Sequence, residues 1–240
     1  MATAQVQINA EPKAPYVHKW TRYEYYKLAE AGLFDGKRVE LIEGEIIDKE
    51  DRPKVHLWTR EEYYRMGDVG LFRDRRVELI EGQVIEMSAL GSPHVTAVTL
   101  ATQALRDVFG QGWVVRVQAP LNIKMGMGAD PEPDIAIVEG NIRDYRDEHP
   151  QTADLLIEIA DTSVKYDRQR KGSLYARAWI DDYWIVNLKK RQLEIYRNPI
   201  TDATAPFGFK YRDKLVLKEG DSVSPLAKPE AVIAVADLLP

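Results

Sequence analysis

Leu155-Leu156-Ile157-Glu158-Ile159-Ala160 is the stretch on which the fold turns. It is apolar apart from one residue, carries no Gly or Pro, and is too short for a typical helix. It therefore reads as a strand buried on both faces. Glu158 is the exception. A carboxylate in such a strand is costly to bury unless it is paired, protonated or bound to a metal. A structural ion pair with Arg or Lys of a neighbouring helix accounts for it as well as a functional site does.

Upstream lies Glu132-Pro133-Asp134-Ile135-Ala136-Ile137-Val138. Proline is tolerated where a strand begins, so Pro133 fixes the start and Asp134 stands at the mouth. If this strand lies beside 155–160, Asp134 and Glu158 converge. Two hard oxygen ligands from adjacent strands suit Mg²⁺ or Mn²⁺, with water and a substrate phosphate filling the shell. A turn or capping role is the alternative for Asp134.

Downstream, 167–178 reads as a helix on which Lys171, Leu174, Tyr175 and Ala178 share one face. A lysine on a core-facing stripe has three uses. It snorkels to the edge, pairs with Asp167 one turn back, or points at Glu158, where an ammonium stabilises charge on a phosphate. His94 falls in the first turn of a helix opened by Ser92-Pro93 and continued by Val95, Val98, Ala101, Leu105 and Val108. It reads first as a boundary or cap histidine and second as a site residue. Glu78, within Val77-Glu78-Leu79-Ile80, is expected to be partly buried. Tyr166 and Tyr175 either wall the site or pack.

The remaining pattern gives strands at 113–119, 183–188 and 193–196, the last pairing back across Lys189-Lys190-Arg191. Residues 122–132 read as a Gly- and Met-rich loop and 208–240 as a short hairpin. The final apolar run, 231–239, is assigned to no element. Helix, strand, strand, strand, helix, strand is an α/β order, and a mixed sheet with helices on its faces packs it best.

An internal repeat precedes this core. Residues 17–49 and 55–87 align at an offset of 38, with 19 identities over 33 positions. Arg38-Val39-Glu40-Leu41-Ile42-Glu43-Gly44 is repeated as Arg76-Val77-Glu78-Leu79-Ile80-Glu81-Gly82. Each copy predicts a short helix with a Thr N-cap and Glu24 or Glu62 at capping-box spacing, then a hairpin turning at Glu-Gly. Two copies are too few for a solenoid. The first reads as an extension, residues 1–54, to a domain spanning 55–240, and either as a duplicated segment or as a docking element.

The bulk properties narrow the classes. There is no cysteine, so thiolate sites and disulfides are excluded. The net charge of −5 speaks against a protein that coats nucleic acid, and less against an enzyme with a local basic patch. No apolar run is long enough to span a bilayer. Met1 to Lys19 lacks the apolar centre of a signal peptide, so the expected location is cytoplasmic. P-loop, dinucleotide-binding, zincin and serine-hydrolase signatures are missing. Three basic runs, Arg73/Arg75/Arg76, Arg168/Arg170/Lys171 and Lys189-Lys190-Arg191, read as solvated faces, or as phosphate-backbone contacts if two of them flank the acidic site.

These residues together resemble a known family. Trp58-Thr59 with Glu62-Tyr63, the 76–82 heptapeptide, Met87-Ser88, Ser92-Pro93-His94 and 132–136 carry the likeness. It is most specific at Leu156-Ile157-Glu158-Ile159-Ala160-Asp161 with Ser163, Tyr166-Asp167, Lys171 and Tyr175-Ala176, and continues through 183–186 and 195–197. The chain is similar to the Uma-two family of bacterial endonucleases, a branch of the PD-(D/E)XK restriction-endonuclease-like superfamily. The resemblance spans about residues 55–240, and the 17–49 copy is an addition to it. It implies a mixed sheet flanked by helices, a divalent metal held by Asp134 and Glu158, and hydrolysis of nucleic-acid phosphodiester bonds, DNA ahead of RNA. The superfamily's simplest motif places a lysine two residues after the acid. Here that position is Ala160, so Lys171 would supply the function from the next helix. Glu78 or His94 would be the fourth member. By analogy the protein would act as a homodimer. The rival expectations are a degenerate nuclease fold kept as a binding or assembly module, and a hydrolase for a small phosphorylated substrate.

Overall fold

The computed structural model describes residues 14–124, 126 and 128–240. Most of the 1–19 segment and both methionines of the 122–132 loop lie outside the described residues.

The core is a six-stranded mixed sheet in the order Phe209–Lys218, Gln192–Thr201, Asp182–Asn187, Leu155–Ala160, Ile135–Glu139, Trp113–Val117. Only 155–160 and 182–187 run parallel. The crossover between them carries the helix that bears Lys171. Every other neighbouring pair is antiparallel.

Strand periodicity sorts the side chains into two cores. Ile135, Ile137, Leu155, Ile157, Ile159, Trp184 and Val186 face the helix Ser92–Val108 and the C-terminal turn Val235–Leu238. Ala136, Val138, Leu156, Ala160, Tyr183 and Ile185 face Leu174 and Tyr175 of the crossover helix and Ile80 and Ile85 of the second repeat's hairpin. Asp134 and Glu158 have the parity of this second set. Both therefore point toward the crossover helix and that hairpin.

The two repeat copies share local structure. Thr21 and Thr59 complete capping boxes with Glu24 and Glu62, and nine-residue helices follow. Each hairpin turns through two residues of positive φ, Glu43-Gly44 and Glu81-Gly82, the geometry of a type I′ turn. The copies also exchange partners. Tyr16–Val17, which leads the first copy, pairs with the second hairpin, whereas Lys54–Val55 pairs with the first hairpin. His18 bonds Glu86 at 2.5 Å and His56 bonds Asp48 at 3.0 Å. Arg75 meets Glu24 as Lys37 meets Glu62. Trp20 and Trp58 close the centre, with ring centroids 5.3 Å apart. Each contact has its counterpart 38 residues away, so the copies form a pseudo-two-fold pair with one core.

Several boundaries differ from the sequence reading. Within 122–132, Ala129–Asp130 forms a short strand, because its backbone completes the ladder beside Leu79 and Ile80. Strand 113–117 stops short of Ala119 because Gln118 turns at φ 47°. The strand starting at 192 runs to Thr201 and pairs along its length with 209–218. Asp213 and Val216 interrupt the alternation of the outer strand, so its full length is not legible in the sequence. The 231–239 run resolves into the strand Ile233–Ala234 and the 3₁₀ turn, both packed on the first core.

Candidate active site

The helix bearing Lys171 does not begin at Asp167. It starts as an α-turn at Val164–Tyr166, widens to a π-helix over Asp167–Lys171 and returns to α over Gly172–Arg177. The wide turn is closed by the Gly172 amide donating to the Asp167 carbonyl. A Cβ at residue 172 would lie 3.3 Å from that oxygen, so glycine lets the turn close. Asp167 and Lys171 both turn inward as a result, 2% and 1% exposed.

Lys171 Nζ lies 2.9 Å from Glu158 Oε1 and 3.0 Å from Glu78 Oε1. Tyr175 donates its hydroxyl to the same Glu158 oxygen at 2.7 Å. It is therefore a direct partner of the site as well as a packing residue. The lysine neither snorkels nor pairs with Asp167, whose carboxylate accepts from the Ser163 hydroxyl. Ala160 is fully buried on the same strand face as Glu158. The lysine position of the simplest motif thus holds a methyl group, and the ammonium arrives from the helix.

The register pairs Ile157 with Ile135, and one step further sets Glu158 opposite Asp134. Asp134 Oδ2 accepts from the Ile159 amide at 2.8 Å. Its Oδ1 accepts from Gln118 Nε2 at 3.1 Å and lies 3.0 Å from His94 Nε2. His94 is thus no cap. Gly91 is the N-cap residue, and the imidazole reaches across to the strand mouth. The positive φ of Gln118 that ends its strand leaves its amide beside Asp134, a role no local sequence signal announces. Glu78 is fully buried rather than half-buried. Its repeat counterpart Glu40 is exposed and pairs with Lys49 at 2.6 Å.

These groups surround a cavity of about 270 Å³ lined by His94, Glu132, Asp134, Glu158, Asp167 and Lys171, with Arg76 at its side. Burial pushes the Glu158 carboxyl well above the carboxylate range, against the pull of Lys171. The same cause raises Asp167 and Glu132 to about 7. Burial also disfavours the charged Asp134, but bonding to His94 and the Ile159 amide outweighs it and holds this carboxyl below its ordinary value. Burial alone would strip the charge from Lys171. Glu158, Glu78 and Asp167 reverse that and hold it as an ammonium. Acids outnumber cations here, and Glu78 Oε2 is buried with no hydrogen-bond partner among the described residues.

A surplus of hard oxygen donors on a buried floor fits a divalent cation. Asp134 and Glu158 would hold it from adjacent strands. Among the described residues no three His, Asp or Glu side chains already converge in metal-binding geometry. Two protein ligands leave the rest of the shell to waters and a phosphate, which suits Mg²⁺. The basic runs do not flank the cavity as sets. Arg168 binds Glu194, Lys189 approaches Asp161 at 3.7 Å, Arg191 binds Glu219 and Arg75 binds Glu24.

A mixed sheet with an Asp and a Glu on adjacent strands and a lysine brought in beside them defines the restriction-endonuclease-like class. The chain belongs to the Uma2 family, whose model, described as "Putative restriction endonuclease", matches residues 60–236. A crystal structure of "a putative nuclease" from Anabaena variabilis ATCC 29413 shares the fold, with a TM-score of 0.53 and 16% identity over 69% of this chain and 90% of that one. No curated protein matches the chain. No helix among the described residues is long and apolar enough to cross a membrane.

Proposed function

We propose that this protein is a divalent-metal-dependent endonuclease that hydrolyses phosphodiester bonds of nucleic acid, DNA ahead of RNA. The observation that carries the reading is Lys171 Nζ at 2.9 Å from Glu158, on the strand beside Asp134 and at one cavity. Asp134 and Glu158 would be the ligands of Mg²⁺ or Mn²⁺. Such an ion, when bound, lowers the pKa of a coordinated water and polarises the phosphate. His94, Gln118 and the Ile159 amide fix the Asp134 carboxylate. Tyr175 and Lys171 fix one oxygen of Glu158, and its other oxygen makes no hydrogen bond among the described residues. Lys171, held charged, would offset negative charge developing on the phosphate. Glu78 holds the ammonium from the far side. We place residues 1–54 as an extension to a catalytic domain at 55–240, the whole acting in the cytoplasm as a homodimer.

The binding-module reading keeps one specific support. Lys171 is already engaged by two carboxylates, so it must yield part of that bonding to touch a phosphate. Cleavage of labelled single- and double-stranded DNA separates the two, in Mg²⁺, Mn²⁺ or EDTA, with Glu158→Ala and Lys171→Ala beside wild type. Metal-dependent cutting lost in both variants is the expected result. Absence of cutting by folded wild-type protein in every metal would favour the module.

A further inference from the structure

A second cavity, about 310 Å³, lies between the second repeat copy and the site. Its walls include the rings of Tyr63, Tyr64 and Phe72, and Asp130 is buried in its lining. It shares two residues with the first cavity, Arg76 and Glu132, so the two adjoin. Arg76 stands at the join. Its neighbour Arg75 is taken up by Glu24, but Arg76 makes no ion pair among the described residues. Its one hydrogen bond is a long contact of 3.5 Å to the Ser88 carbonyl. An arginine that makes no direct ion pair, with Glu132 as its nearby counter-charge, is suited to a ligand oxyanion.

We propose that this second cavity is a subsite for one unpaired nucleotide flanking the scissile bond, with the base against the tyrosines and its phosphate on Arg76. The inference rests on the nuclease reading and adds to it the class of substrate. Aromatic rings take any base by its π-face. Tyr63 is held in place by donating its hydroxyl to the Val77 carbonyl at 2.9 Å, while Tyr64 is 42% exposed and presents its ring to incoming ligand. Asp130 Oδ2 accepts from Arg60 at 2.7 Å, and its Oδ1, without a hydrogen bond among the described residues, would accept from a base N–H group. A base stacked within a duplex cannot enter such a compartment, and an unpaired one can. The preferred substrate is therefore single-stranded or locally unpaired nucleic acid.

The test uses the full chain. Fluorescence anisotropy reads binding of a short labelled DNA, single-stranded and as its duplex, in EDTA, and a cleavage assay in Mg²⁺ runs beside it. Arg76→Met and Tyr64→Ala change the cavity wall beside Glu132 and Asp130, and their thermal melts report folding. The expected result is tighter binding of the single strand by wild type. Each variant should weaken it roughly tenfold, and Tyr64→Ala should change duplex binding by less than about twofold. Arg76→Lys should recover part of the loss. Wild type that cuts DNA while both variants bind and cut like it overturns the subsite and leaves the nuclease reading standing. Equal or tighter binding of the duplex also overturns it. Wild type that binds and cuts neither form overturns both readings.

Discussion

Lys171 and Glu78 lie 93 positions apart in the chain and bond at 3.0 Å, each about 1% exposed. The pair joins the second repeat copy to the crossover helix on the six-stranded sheet through its charges. It also explains why the lysine can sit on an apolar stripe: two carboxylates meet it there.

Removing that ammonium leaves Glu78 and Glu158 buried without a counter-charge. Lys171→Met is expected to cost about 3–5 kcal/mol at pH 8, the range for breaking a buried pair from one side. The loss should shrink in acid, where the carboxylates take up protons. Lys49→Met, which removes the exposed partner of Glu40, should change stability by less than about 1 kcal/mol. Urea denaturation of the two variants checks this, and equal costs would contradict the burial contrast.

Asp167 gives a pH signature. Burial raises its carboxyl from 3.8 to about 7, so the folded state holds the proton more tightly than the unfolded chain does. Its contribution is therefore most favourable below pH 3.8 and is lost as pH rises toward 7. Asp167→Asn keeps a partner for Ser163 and removes the titration. The variant should be more stable than wild type at pH 8 by at least about 1 kcal/mol, with the gap closing toward pH 5. Thermal melts across that range decide it.

A divalent ion should compete with those protons. Saturating Mn²⁺ at about 100 times its Kd should stabilise wild type by about 2.7 kcal/mol. Asp134→Asn combined with Glu158→Gln should abolish the shift. His94→Ala should weaken Mn²⁺ binding about 10–100-fold by loosening Asp134, as loss of an outer-shell partner does. Calorimetric titration reads both. Tighter binding by the His94 variant would mean that the imidazole competes with the metal for Asp134.

The pseudo-two-fold predicts matched costs. Trp20→Ala and Trp58→Ala should each lose about 3–5 kcal/mol, since each ring fills the same core from opposite sides. Their double mutant should lose less than the sum, because the rings touch. A single unfolding transition is expected. The second hairpin sends Val77, Leu79 and Val84 into the repeat core and Ile80 and Ile85 into the sheet core, so the two cores share one element.

Much of this was legible in the chain itself. The 155–160 strand, Pro133 before Asp134, the Ser92-Pro93 helix start and both capping boxes are local signals, and each stands where its chemistry put it. A polar residue in an apolar run, such as Glu158, is visible without any partner. The full length of the outer strand at 209–218 is not legible because Asp213 and Val216 interrupt the alternation of Phe209, Tyr211, Leu215 and Leu217 with Lys210, Arg212 and Lys214. Gln118 is not legible as a partner of Asp134, and the choice between walling the site and packing stays open for Tyr175, because nothing beside them in sequence says what they touch.

The sequence by itself determined the strands, the carboxylates and the repeat, since periodicity, proline and capping act within a few residues. Only the tertiary structure decided which of two identical heptapeptides would serve the site. Arg38–Gly44 and Arg76–Gly82 form the same hairpin, yet Glu40 meets water and Lys49 while Glu78 meets Lys171. The reason is what packs on each hairpin's second face. The first copy leaves that face to solvent, and the second lays it on the sheet beneath a π-turn that aims a lysine at it. No local interaction distinguishes the two, so the difference resides in the packing alone.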